Sequence, residues 1–236
     1  ENVELLGENM PIFWPDFSPH FLAGTYGCEI KFDHTSGWID HPILDDYNDL
    51  ENDLVFHTES KLYKTAEKLV EYAASRCKGK YLVGFPDHNI LGDCLEALRG
   101  TSNYLMDLYD NEDMVKKAHD MVTNDFLKSY HHFDSIIKSA GSMSCNWMGI
   151  PSFGKFYVPT GDITSMFSTD MYERYYFDVM DKVISSMDHT VYHIDGKDVA
   201  KHIDLMLNHK DLNGFQWVQG MGRDRPILQW VPLIKK

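Results

Sequence analysis

The stretch His189-Thr-Val-Tyr-His-Ile-Asp-Gly196 decides how the rest of the chain is read. It is an apolar run that ends in polar chemistry and a glycine, the pattern of a buried strand closing on a turn. Side chains alternate along a strand, so Val191, His193 and Asp195 share one face and Thr190, Tyr192 and Ile194 the other. A histidine and a carboxylate two residues apart at the C-terminal end of a strand sit where α/β enzymes place ligands and catalysts. A solvated strand end with a local turn accounts for the same residues, so the stretch alone does not establish a site.

Moving outward, apolar runs of strand length alternate with helical spacing. Met10–Trp14, Lys80–Phe85, Ser142–Ile150 and Gly214–Val218 read as further strands. Helices are expected over 51–76, 91–99, 102–110, 111–139, 169–187 and 197–207, with the first turns of another over 227–236. Leu54, Val55, Leu62, Ala66, Leu69, Val70 and Ala73 form one face of the first of these. Gly100 stops the 91–99 helix, and Asn111 is the expected N-cap of the long one, with Glu112 and Asp113 in its first turn. Alternating β and α elements imply a parallel sheet with helical crossovers. A (β/α)₈ barrel needs eight strands and about five are legible, so the expected fold is a single barrel domain over 1–236, incomplete at both ends. A doubly wound open sheet is the alternative, but it usually carries a glycine-rich first turn, and no GxGxxG or P-loop is present.

Composition narrows the class. The 236 residues are 43% hydrophobic, enough for a substantial core. Twenty-two basic against 36 acidic residues leave a net charge of −14, which argues against nonspecific binding to nucleic acid or to an anionic membrane. No apolar run reaches the roughly 18 residues of a membrane span. Cys28, Cys77, Cys94 and Cys145 are widely spaced without a CxxC pair, pointing to a reducing, cytoplasmic setting.

Four strand ends carry polar groups: Phe85-Pro-Asp-His88, Cys145-Asn-Trp147, His193 with Asp195, and Gln219 beyond the strand containing Trp217. In a parallel barrel such ends converge on one site. His193 and Asp195 suit a divalent ion, with Cys145 or Asp87 as further donors, since zinc accepts nitrogen, sulfur and oxygen. They equally suit an acid/base pair, as do Asp87 and His88. The plain alternative for each is a hydrogen-bonded strand-end residue, and for Asp87 a cap on the following helix. Trp147 and Trp217, with Trp14, Trp38 and Trp230, could present aromatic faces to a ligand, although most tryptophans are core. Arg223 and Arg225 could receive an anion or simply pair on the surface.

Several segments taken together resemble the uroporphyrinogen decarboxylase superfamily, which includes cobalamin-linked methyltransferases. They are Leu95-Glu-Ala-Leu-Arg-Gly100, Tyr104-Leu-Met-Asp-Leu108, Glu112-Asp-Met-Val115, Gly161-Asp-Ile-Thr-Ser-Met-Phe-Ser168 and His193-Ile-Asp-Gly196. The resemblance implies a (β/α)₈ barrel with its site at the strand C-termini. It also implies a substrate that is small and methylated or carboxylated, a corrinoid protein as partner and a homodimer. Two departures qualify the chemistry. The arginine-rich motif that grips substrate carboxylates in the decarboxylases is not found. Asp195 stands where the zinc-dependent methyltransferases have the cysteine of His-x-Cys. The expected catalytic residues are therefore His193, Asp195 and Asp87, with zinc at His193 and Asp195. Substrate contacts are expected from His88, Cys145, Trp147, Asp162, Trp217 and Gln219. Porphyrinogen decarboxylation and a non-catalytic ligand-binding barrel are the alternatives.

Overall fold

The computed structural model describes residues 10–34, 36–218, 228 and 231–234. Strand β1 (Ile12–Phe13) opens the fold and runs through Trp14-Pro-Asp16 into the buried turn α1 (Phe21–Thr25). An antiparallel hairpin follows, β2 (Ile30–Phe32) with β3 (Gly37–Ile39). Its three-residue strands are too short to show a period, which is why the sequence does not announce them.

The single helix expected over 51–76 is in fact two, α2 (Leu50–Asp53) and α3 (Lys61–Cys77). Ser60 divides them. Its backbone is extended and its hydroxyl accepts from the Tyr63 N–H at 3.2 Å, so it caps α3 rather than continuing α2. Strand β4 (Leu82–Gly84) is buried throughout and parallel to β1, with Phe13 opposite Val83.

Helices α4 (Leu91–Arg99), α5 (Thr101–Asp110) and α6 (Glu112–Ser139) then cross to β5 (Ser144–Cys145), parallel to β4. Gly100 takes φ +84° between α4 and α5, the stop its sequence position predicts. Asn111 precedes α6 but does not cap it; its amide donates instead to the Asp107 carboxylate at 2.9 Å. Of the strand expected over 142–150 only β5 forms, with β6 (Pro151–Ser152) antiparallel to it.

Strand β7 (Phe156–Tyr157) lies parallel to β8 (His189–Asp195), which lies parallel to β9 (Gly214–Val218). Between β7 and β8 run a 3₁₀ helix (Asp162–Met166), α7 (Thr169–Tyr172), a π-helical segment (Glu173–Phe177) and α8 (Asp178–Ser185). After β8, the helix expected over 197–207 breaks into α9 (Lys197–Ala200) and α10 (Ile203–Met206). The break falls at His202, whose ring nitrogen bonds the Thr164 carbonyl at 2.9 Å. A last turn, α11 (Val231–Ile234), lies inside the expected 227–236 helix.

The architecture is mixed α/β, with parallel runs β1-β4-β5 and β7-β8-β9 joined largely by helices. The described residues do not form a closed barrel. The core lies between strands and helices, where Tyr104, Phe126, Tyr130, Tyr172, Tyr176 and Tyr192 are fully enclosed. The faces of β8 divide as alternation requires: Thr190, Tyr192 and Ile194 are buried, whereas Val191 and His193 are half-buried and Asp195 is exposed. At the α4–α5 corner Arg99 reaches Asp107 at 2.7 Å and the Leu44 carbonyl at 3.3 Å, tying a long loop to the helical layer.

Candidate functional site

Five strand ends open toward one place. A cavity of about 390 Å³ is lined by Trp14 and Asp16 after β1, Asp87 and Asn89 after β4, and Trp147 after β5. Thr160 and Asp162 after β7 and His193 near the end of β8 complete it, with Pro19 and Ser36 at the rim. These five strands contribute at their C-terminal ends, the side on which parallel sheets bind ligands. The volume suits a small molecule. The structure therefore brings together four of the residues singled out from sequence: Asp87, Trp147, Asp162 and His193.

Local sequence explains how the acids are placed. Trp14-Pro-Asp16 and Phe85-Pro-Asp87 repeat one aromatic-Pro-Asp signature at the exits of neighbouring strands. Proline fixes its own φ and restricts the residue before it, so each strand is turned outward and its aspartate delivered to the cavity. The two exits are joined, His20 bridging His88 and the Asn89 N–H donating to the Pro19 carbonyl at 2.8 Å. Asp16 was not among the expected site residues, and this repeated tripeptide was the signal for it; Trp14 was anticipated only as one of five tryptophans that could face a ligand. Asp87 does not cap the next helix, whose N-cap is Ile90.

Electrostatics distinguish the acids. Burial pushes the Asp87 carboxyl from its ordinary 3.8 up to about 7, and the negative charges of Asp16 and Asp162 push the same way. Asp162 is exposed to the cavity and accepts from the Thr160 hydroxyl at 2.8 Å. It is held from behind by Asp93 of α4, which accepts from the Asp162 and Ile163 N–H groups at 3.0 and 2.8 Å. Burial raises the Asp93 carboxyl, with Asp162 adding to the effect. No sequence signal marked Asp93, because its partners lie about seventy residues away in the chain. Burial and Asp162 also raise the Asp195 carboxyl, while His193 opposes them.

The His193 ring is fixed on two sides. Its Nδ1 bonds the Gln216 side-chain oxygen on β9, and its ring meets Trp147 edge-on at 5.3 Å. If Nδ1 carries the proton it donates to Gln216, leaving Nε2 as the free acceptor.

No family model matches the sequence, and no curated protein does. Among solved structures there is a similar fold. It is that of a methyltransferase from Methanosarcina mazei, with a TM-score of 0.64 at 14% identity, covering 86% of this chain and 56% of that one. The chain thus spans little more than half the length of that structure. At this identity the likeness is one of fold, and it matches a methyltransferase-like architecture.

Other expected residues stand elsewhere. His88 is fully enclosed, its Nε2 2.9 Å from the Ser129 hydroxyl and its ring packed against Phe21 and Phe126. Burial lowers it to about 3, so it is a neutral core histidine and not a cavity residue. The Cys145 thiol is buried, donates to the Asn146 carbonyl at 3.5 Å and is pushed up to about 11. Trp217 is half-buried and packs on the core. Asp195 stands at the end of β8 beside the cavity lining and not within it. Gln219, Arg223, Arg225 and Trp230 lie outside the described residues.

Among the described residues the donors are too few for the expected zinc ion. Among the described residues no three His, Cys, Asp or Glu side chains are grouped to hold a metal. Protein zinc sites use three or four ligands, so His193 and Asp195 fall short without added donors.

Proposed function

We propose that the protein is a small-molecule enzyme of the uroporphyrinogen decarboxylase-like, (β/α)₈-barrel type, in its methyltransferase-like branch. The observation that supports this reading is the convergence of Trp14, Asp16, Asp87, Trp147, Asp162 and His193 on one cavity from the C-terminal ends of five strands. In the proposed reaction the bond from a methyl carbon to a substrate heteroatom breaks as a nucleophilic acceptor bonds that carbon. The electron pair stays on the heteroatom. Asp87, titrating near neutrality, donates the proton that the departing heteroatom takes up. Asp162 and Trp147 orient the substrate, and His193 Nε2 accepts a hydrogen bond from it. A corrinoid on a partner protein is the proposed methyl acceptor, and no residue of this chain is assigned to hold it.

Among the described residues no lysine or arginine lines the cavity, which favours this reading over decarboxylation of a polycarboxylate. The test is to incubate the purified chain with methylated amines, thiols and aryl ethers and reduced free cobalamin, and to follow demethylated product by mass spectrometry. Turnover is expected, and Asp87→Asn should lower it about 10²–10⁴-fold, the usual contribution of a positioned acid/base. Conversion of uroporphyrinogen to coproporphyrinogen would replace this reading with decarboxylation. Binding without turnover of any substrate would replace it with a non-catalytic barrel.

A further inference from the structure

We propose that Tyr176, carried by the π-helical segment Glu173–Phe177, is a positioning residue for the cavity: together with Asp93 it clamps the turn that bears Thr160 and Asp162, and so fixes Asp162 relative to Asp87. The inference rests on the reading of this cavity as the active site and concerns how one of its walls is held.

Three observations carry it. First, the Tyr176 ring is fully enclosed, and its hydroxyl donates to the Thr160 carbonyl at 3.0 Å. Burial raises this phenol, so it stays protonated and remains a donor. Thr160 passes the restraint on, its own hydroxyl donating to the Asp162 carboxylate at 2.8 Å. Second, the Tyr176 ring sits between two glycines. A Cβ on Gly161 would lie 2.6 Å from the Tyr176 hydroxyl, and one on Gly92 would lie 3.1 Å from the ring's Cε2 and 2.8 Å from Ile163 Cγ2. Gly161 has an extended φ of −163°, which any residue adopts, so room for Tyr176 is what calls for glycine there. From α4, Asp93 accepts from two consecutive N–H groups of the same turn.

The third observation is the register of the helix. Tyr172, Tyr176, Met180 and Ile184 are all buried at a spacing of four. An α-helix over-rotates by about 40° at each such step, so a plain helix would carry the last of them roughly 120° from the face of the first. The wider π-helical turn takes up part of that drift, keeping Tyr172 and Met180 on the core side while Tyr176 reaches Thr160. Such turns occur frequently at functional sites, and this one delivers its tyrosine to a cavity wall.

The experiment is a carboxyl-carbon NMR titration of the intact chain isotopically labelled at aspartate, with the Asp87 signal assigned by its loss in Asp87→Asn. Asp87 is faced by Asp16, Asp162 and His193 around the cavity and by Tyr157 on its inner side, and the charge of Asp162 helps to hold its proton. Asp162→Asn should therefore lower the Asp87 midpoint. Tyr176→Phe keeps the ring and loses the hydroxyl; by letting Asp162 move away it should lower the midpoint in the same direction. Asp93→Asn turns an amide N–H toward one of the turn's two donors and should do likewise. In an Asp162→Asn background neither change should lower it further, because both act through Asp162. Circular dichroism checks that each variant is folded. A Tyr176→Phe midpoint equal to the parent's overturns the proposal, as does a lowering that persists undiminished without Asp162, or an Asp87 midpoint that Asp162→Asn itself leaves in place. Should Tyr176→Phe not fold, Gly161→Ala, which presses a methyl against the same hydroxyl, is read by the same criteria. The titration needs no substrate, so its failure leaves the enzymatic reading standing, and absence of turnover in the separate assay leaves the clamp standing.

Discussion

Asp87 is asked to do two things that pull apart. Burial and two neighbouring negative charges hold its carboxyl protonated up to about pH 7, whereas in the unfolded chain it ionises near its ordinary 3.8. Between those values the folded state binds more protons than the unfolded one, so this residue's contribution to stability falls as pH rises through that window. Asp87→Asn removes that penalty. It should raise the melting temperature above neutral pH and leave it nearly unchanged near pH 4, while lowering turnover about 10²–10⁴-fold. A variant less stable than the parent at every pH would show that the carboxyl is structural. Gly84 sets a second residue-scale limit. A Cβ there would meet Trp14 Cδ1 at 3.0 Å and the Cys145 carbonyl oxygen at 3.2 Å. Gly84→Val should cost about 1–3 kcal/mol in denaturant unfolding and displace the Trp14 indole. A tryptophan emission spectrum identical to the parent's would contradict it.

At the scale of elements, periodicity was a good guide where a segment was long or bounded, and a poor one where a single side chain broke it. Strand β8 and helices α4, α5 and α6 stand close to their sequence-read limits, because alternation and the stop at Gly100 are local properties. The hairpin β2–β3 was invisible because it is too short. The splits at Ser60 and His202 follow from one hydrogen bond each, which apolar spacing does not register. The same holds for the site. Asp87, Trp147, Asp162 and His193 could be picked out as strand-end residues, but the role of Asp93 depends on a contact that only folding creates. The α4–α5 corner offers a direct measurement. The side chains of Arg99 and Asp107 are only 13% and 6% exposed, so Arg99→Ala strands a buried carboxylate. A loss of about 3–5 kcal/mol is expected in urea unfolding, and Asp107→Leu added to it should recover part. No recovery would mean that Arg99 acts through the loop carbonyls instead.

Over the whole molecule, buried histidines oppose the buried acids. Burial lowers His88 from 6.5 to about 3 and His119 to about 4. Below their ordinary value the unfolded chain takes up protons that the folded chain refuses, so their contribution is lost as pH falls from about 6.5. Stability should therefore decline on the acid side through histidines while Asp87 erodes it on approach to neutrality. His88→Phe, which gives up the Ser129 bond, should be less stable than the parent at neutral pH, and the gap should shrink or invert near pH 4. A gap independent of pH would remove His88 from the account of acid unfolding.

The joined exits of β1 and β4 have a consequence for how such a site can change. The spacing of Asp16 and Asp87 is held by backbone, through the His20–His88 bridge and the Asn89-to-Pro19 bond, and by two prolines. The aromatic residues beside them, Trp14 and Phe85, take no part in those bonds. Walls can therefore be exchanged by mutation while the acid pair keeps its geometry, so this half of the cavity is free to drift toward new ligands without first dismantling its chemistry.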